Sequence, residues 1–130
     1  MISMKHNKMA LKIFLSLVIL ILVILGYQFF TVDKGMEKYT QDVINTALKN
    51  NDNNKLLKIS SNKRVFKALK SQKHVIIKFR TDNQGSENVA YFPSKIGSKS
   101  KTYGIELKVK SFIFHQYTLK QVVDLSTLPN

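Results

Sequence analysis

Three histidines, eight acids and twenty-one cations are the side chains with most chemistry to offer in this 130-residue chain, and cysteine is absent. The histidines stand apart. His6 lies near the start, and His74 and His115 each sit in a strand-like segment with no acid beside them. No His-x-x-x-His or His-Glu-x-x-His spacing offers a zinc site, and without thiols there is no Cys-based metal site or nucleophile. The acids are scattered, so no carboxylate pair is set up for general acid–base work, and no Gly-x-Ser-x-Gly elbow surrounds a serine. Gly97-Ser98-Lys99-Ser100 ends like a phosphate-binding Gly-Lys-Ser, but it lacks the Walker spacing, and a strand pattern follows where a helix is required. The expectation is a chain with no catalytic centre, no metal and no cofactor.

Positive charge is what the chain does hold. Residues 55–80 carry nine cations (Lys55, Lys58, Lys63, Arg64, Lys67, Lys70, Lys73, Lys78 and Arg80), and no acid lies between Asp52 and Asp82. A run of this kind concentrates field, and near an anionic surface each cation adds about 1 kcal/mol if it lies within a Debye length. The expected anion-binding residues are Lys63, Arg64, Lys67, Lys70 and Lys73, joined by Lys95, Lys99 and Lys101 from a second basic stretch. Only two of the 21 cations are Arg. Bidentate reading of base edges is therefore not expected, whereas non-specific contact with phosphates is. A solvated surface accounts for the same lysines, because abundant Lys, Asn and Ile are what a low-GC bacterial genome produces without selection for binding. Both readings stand at this level.

These residues are positioned by an anchor. Residues 13–32 (IFLSLVILILVILGYQFFTV) contain no charge and no polar face. As a helix they extend roughly 30 Å, the thickness of a bilayer's hydrocarbon. Lys5, Lys8 and Lys12 precede them, as in a signal peptide, but the apolar core is too long and no small-x-small cleavage site follows. Tyr27, Phe29 and Phe30 stand instead where aromatic residues mark a membrane interface. We expect a basic tail (1–12), an uncleaved single-pass anchor (13–32), a juxtamembrane amphipathic helix (33–50) and a small domain (51–130). The positive-inside rule favours the tail inside and the domain outside, by a thin margin.

Within 33–50, Met36, Tyr39, Val43, Ile44, Ala47 and Leu48 recur at helical spacing. Lys34, Glu37, Lys38, Gln41, Asp42, Asn45 and Lys49 fill the other side, and Gly35 is a point of loosening. Asn50 to Asn54 break this helix, and a short apolar turn with Leu56, Leu57 and Ile59 follows. Ser60 or Ser61 caps a third helix through Lys70, with Val65, Phe66, Ala68 and Leu69 near one face. Residues 74–80 then alternate as a strand, 82–85 turn, and 87–92 return as the hairpin partner, ended by Pro93. Residues 94–102 read as a Lys-rich loop. The clearest strand follows, with Tyr103, Ile105, Leu107 and Val109 inward, Glu106, Lys108 and Lys110 outward, and a bulge at Lys110-Ser111. Beyond Tyr117 a capping box (Thr118-x-x-Gln121) and a strand fit equally.

Helices first and antiparallel strands after imply an α+β domain, two or three helices packed on one face of a curved sheet. This order, with the strand Glu106-Leu107-Lys108-Val109-Lys110-Ser111-Phe112, resembles the NTF2-like domains of membrane-anchored proteins. The functional expectation is a non-enzymatic, membrane-anchored binding or scaffolding module of a bacterial cell envelope, part of a larger membrane assembly of secretion, conjugation or exclusion type. Its partners would be the lipid bilayer and a protein or anionic envelope polymer. The alternative is a cytoplasm-facing basic domain that binds nucleic acid or anionic lipid.

Overall fold

A computed structural model describes residues 2–98 and 101–125. Its backbone is one helix. α1 (Ile2–Lys49) runs 48 residues without interruption, roughly 72 Å at the α-helical rise. Its N-terminal part is long and apolar enough to cross a membrane. Ile13, Phe14, Leu17, Leu20, Leu22 and Ile24 there are all exposed. The same helix continues into the domain's core, where Val32, Met36, Thr40, Ile44 and Ala47 are buried at spacings of four and three. Of the expected stripe, Tyr39, Val43 and Leu48 pack at the margin of that core. Thr40 tolerates burial because its hydroxyl donates back to the Met36 carbonyl (2.8 Å). Gly35 does not loosen the helix.

Asn51 adopts a left-handed conformation (φ 50°), which turns the chain after α1. The short apolar turn is in fact a helix, α2 (Asn53–Ile59), capped by Asp52 accepting from Lys55 N, with Leu56 and Ile59 buried. α3 (Lys63–Lys70) is capped by the Asn62 side chain accepting from Val65 N (2.9 Å), not by Ser60 or Ser61. Those serines are occupied elsewhere. Ser60 bridges Val122, and Ser61 N donates to the Val122 carbonyl.

Four antiparallel strands follow in meander order: β1 (Ile77–Phe79), β2 (Val89–Ile96), β3 (Thr102–Ser111) and β4 (Gln116–Asp124). The helices and this sheet make an α+β domain. Three expectations are corrected here. β1 is shorter than 74–80, and it pairs with 94–96, not 87–92. β2 passes through Pro93, since Ala90, Phe92, Ser94 and Ile96 keep an unbroken inward alternation. A proline is tolerated because Pro93 turns its backbone toward β1 just where β1 ends. Its carbonyl accepts from Arg80 N (2.8 Å), and no ladder donor is needed beside it. Residues 94–96 and 102 thus belong to strands, and the expected loop shrinks.

β3 follows its pattern, with Tyr103, Ile105, Leu107 and Val109 buried, and its register shifts at Val109/Ser111 where the bulge was expected. β4 resolves the ambiguity after Tyr117 in favour of a strand, with Leu119, Val122 and Asp124 inward. Phe92, Ile105 and Leu107 fill the centre of the sheet, and Phe79 stacks on Phe92 (4.0 Å between ring centres).

Both edges of the sheet close on α1. On the β1 side, Glu37 Oε2 accepts from Phe79 N (2.8 Å), Gln41 Oε1 from Ile77 N (3.0 Å), and Asn45 Oδ1 from Val75 N (2.8 Å). Asn45 Nδ2 also donates to the Val75 carbonyl (2.9 Å). Four helix residues rise about 6 Å and two strand residues about 6.6 Å, so polar side chains at i, i+4 and i+8 match every second amide of an extended chain. On the β4 side, Leu119 N donates to the Tyr39 hydroxyl (3.3 Å), and the Tyr39 and Tyr117 rings meet edge to face. Glu37, Gln41 and Asn45, expected to face water, instead protect a sheet edge.

Candidate anionic-ligand surface

The face of the sheet turned away from the buried core is where basic residues converge. Lys78 on β1 and Lys95 on β2 are direct cross-strand partners, and Lys95 is in turn opposite Thr102 on β3. Arg80 follows directly on the end of β1 and donates through Nη1 to Thr102 Oγ1 (2.7 Å). These cations border a shallow groove of about 510 Å³ completed by Gln72, His74, Ile76, Gly97 and Ser98, with no acid in its lining. Gly97 holds φ +69° where the chain turns out of β2, with the Gln72 carboxamide against it.

Like charges placed directly across a strand pair are destabilising by roughly 0.2–1 kcal/mol. A Lys78–Lys95 pair, exposed at Lys78 and half-buried at Lys95 and flanked by a guanidinium, is therefore an arrangement that an anion would relieve. Chemically the groove offers ammonium and guanidinium donors, a side-chain amide and a hydroxyl, which suits phosphate or carboxylate oxygens. Among the described residues no group of His, Cys, Asp and Glu is assembled that could hold a metal ion.

The expected anion-binding residues do not form one site. Lys63, Arg64, Lys67 and Lys70 stand exposed on α3, with Lys70 folded over the Phe66 ring (5.6 Å). Lys73 borders a separate hollow that also contains Asp42 and Lys49. Lys99 lies outside the described residues. Lys101 forms a 2.6 Å ion pair with the buried Asp124 and lies 6.0 Å over the Tyr103 ring, so its charge serves the fold. Among the described residues of this set only Lys95 enters the groove, and its companions Lys78 and Arg80 come from the far end of the acid-free run. The clue was present, since residues 78 and 80 share a strand face, but the register with Lys95 required β2 to pass Pro93.

Beyond the groove the face is quieter. Glu106 accepts from Gln121 Nε2 (2.7 Å) and pairs with Lys120 Nζ (3.2 Å). The Gln121 hydrogen bond is the main reason its carboxyl is held below the usual range, with Lys120 adding to it against burial. Tyr91 lies across Gly104, where a Cβ would overlap its hydroxyl and ring, so this position has no room for a side chain. Burial foremost, with the Glu106 charge, raises the Tyr91 phenol above its ordinary range.

Heights above the apolar segment follow from α1. Phe79 is bonded to Glu37 and Val75 to Asn45, so β1 runs down the helix toward the apolar segment. Arg80 thus lies near the level of Glu37, about 6 Å beyond Asp33. The C-terminal end of α3 faces Leu48 and Asn51, more than 20 Å beyond Asp33 by the same rise. Comparison of the chain with family models, curated proteins and solved structures gives no match.

Proposed function

We propose that the chain is a single-pass, membrane-anchored, non-enzymatic binding module whose domain lies outside the membrane and takes an anionic partner on the sheet face turned away from its core. The observation that carries this reading is the Lys78–Lys95 pair beside Arg80 in a groove with no acidic lining. A charge arrangement that costs stability in the free protein is understandable where a ligand neutralises it. The partner is an anionic envelope polymer or an acidic protein surface within a larger envelope assembly. α3 contributes long-range attraction, because its cations are exposed but lie more than a Debye length from the membrane. The likeness to NTF2-like domains enters here on element order and helix-on-sheet layering.

The test is binding of inorganic polyphosphate to the full chain in nanodiscs of zwitterionic lipid. K78E/K95E should weaken binding more than tenfold, and K63E/K67E should do so by a smaller factor with a reduced salt slope. Equal loss in both variants would remove the groove from the reading. Protease digestion of intact cells carrying a C-terminal tag tests the orientation. Loss of the tag supports an outward domain, and protection supports a cytoplasmic domain whose same groove meets nucleic acid or inner-leaflet lipid.

A further inference from the structure

We infer that the β3–β4 turn, residues 112–115, is a second membrane contact that inserts its apolar tip into the interfacial region beside the anchor helix. The inference rests on the reading of residues 13–32 as a membrane span. Sequence supplies the first observation. Between Lys110 and Lys120 no charged residue occurs, the longest such interval after Asp33 in a chain of 21 cations. The tip within it is Ser-Phe-Ile-Phe-His, with Ile113 47% and Phe114 76% exposed. Elsewhere in the domain Leu57 and Ile76 are uncovered singly, whereas this turn leaves two large apolar side chains uncovered side by side.

Placement supplies the second. β4 descends along α1 in steps: Leu119 N bonds the Tyr39 hydroxyl, Tyr117 packs on Gly35, and His115 Nε2 lies 3.2 Å from the Gln28 carbonyl. Gln28 is five residues inside Asp33, about 7.5 Å toward the bilayer. The turn is thereby brought to the depth of Tyr27, Phe29 and Phe30, which are 68–84% exposed around the same helix turns. Rings from the helix and rings from the turn occupy one layer, where aromatic side chains partition at the headgroup boundary. His115 is held at φ 51°, a left-handed conformation that directs the turn against the helix.

The chain has no tryptophan, so one introduced residue reports alone. Three full-length variants, F114W, L20W and I76W, are placed in vesicles with phospholipids brominated at shallow or deep acyl positions. F114W should be blue-shifted, quenched severalfold more by shallow than by deep bromines, and shielded from aqueous iodide. I76W, on the exposed sheet face, should be quenched by iodide. F114W emission matching that of I76W, with L20W quenched by deep bromines, overturns the inference and leaves the anchor intact. L20W accessible to iodide instead removes the anchor, and the inference with it. Should F114W disturb the fold, I113W provides the same readout from the neighbouring position.

Discussion

Asn45 holds Val75 by both of its backbone groups, accepting from the amide at 2.8 Å and donating to the carbonyl at 2.9 Å. An asparagine on a helix thus plays the part of a neighbouring strand. With Gln41 and Glu37 it supplies the hydrogen bonds that the outer edge of β1 would otherwise seek from water or from another chain. The sheet is therefore closed to strand addition along this stretch.

Replacing Asn45 by Ala removes both bonds and leaves half-buried backbone groups unsatisfied. Stability should fall by about 1–3 kcal/mol, read from denaturation of the full chain in detergent. Q41A removes one bond and should cost less, while D42A, at an exposed position, should change little. Faster amide exchange at Val75 and Ile77 in N45A, but not in D42A, would tie the loss to the edge.

Gly35 and Gly26 should respond differently to the same change. Alanine in a helix ordinarily gains about 1 kcal/mol over glycine. Nothing lies within 4 Å of a Cβ at Gly26, whereas a Cβ at Gly35 would meet Tyr117 Oη at 2.8 Å and His115 Nδ1 at 3.2 Å. G26A should be neutral or stabilising. G35A should forfeit the helix gain, and G35L should detach the β3–β4 turn, seen as altered near-UV signals from Tyr39 and Tyr117.

Groove and core lysines should separate cleanly. K95T relieves the repulsion with Lys78 and should stabilise the fold by roughly 0.2–1 kcal/mol while weakening polyanion binding. K101A withdraws one partner of buried Asp124 and should cost on the order of 2 kcal/mol. Anion affinity per folded molecule should be unchanged in K101A. A stability loss in K95T would contradict the like-charge argument.

Two carboxylates give opposite pH signatures. The Glu106 carboxyl is lowered, first by the Gln121 hydrogen bond, so its contribution is complete above its ordinary value of 4.5 and is lost as pH falls through the folded value. The Asp33 carboxyl is raised, first by burial and then by the Asp82 charge. Its folded form binds a proton more readily than the unfolded chain, so stability declines as pH rises from 3.8 through the folded value. E106Q should flatten the acid limb of the stability profile, and D33N should raise stability at neutral pH. Thermal melts of both variants between acid and neutral pH read the two slopes.

Local periodicity carried part of this structure in plain view. The apolar segment is plain from its unbroken run of apolar residues, and the buried pair Val65 and Leu69 and the inward side of β3 follow from one-dimensional spacing, because α3 and β3 each bury one face against a single layer. The polar row Glu37, Gln41 and Asn45 has the same helical spacing as a solvated face, and only the neighbouring strand reveals its use. Pro93 misled for a related reason. A proline ends strands that need its N–H, and whether a strand needs it depends on where its neighbour stops. The groove was illegible because Lys95 is brought beside Lys78 by that same strand.

The uninterrupted α1 makes the apolar segment and the domain one lever. Clamped by β1 on one side and touched by β4 on the other, the helix has no hinge between the two. A helix accommodates a thinner bilayer chiefly by tilting. Here every degree of tilt would swing the distant end of α3 through a wide arc and lower or lift the basic groove. If residues 13–32 span a bilayer, its thickness would then set the angle at which the charged face is presented.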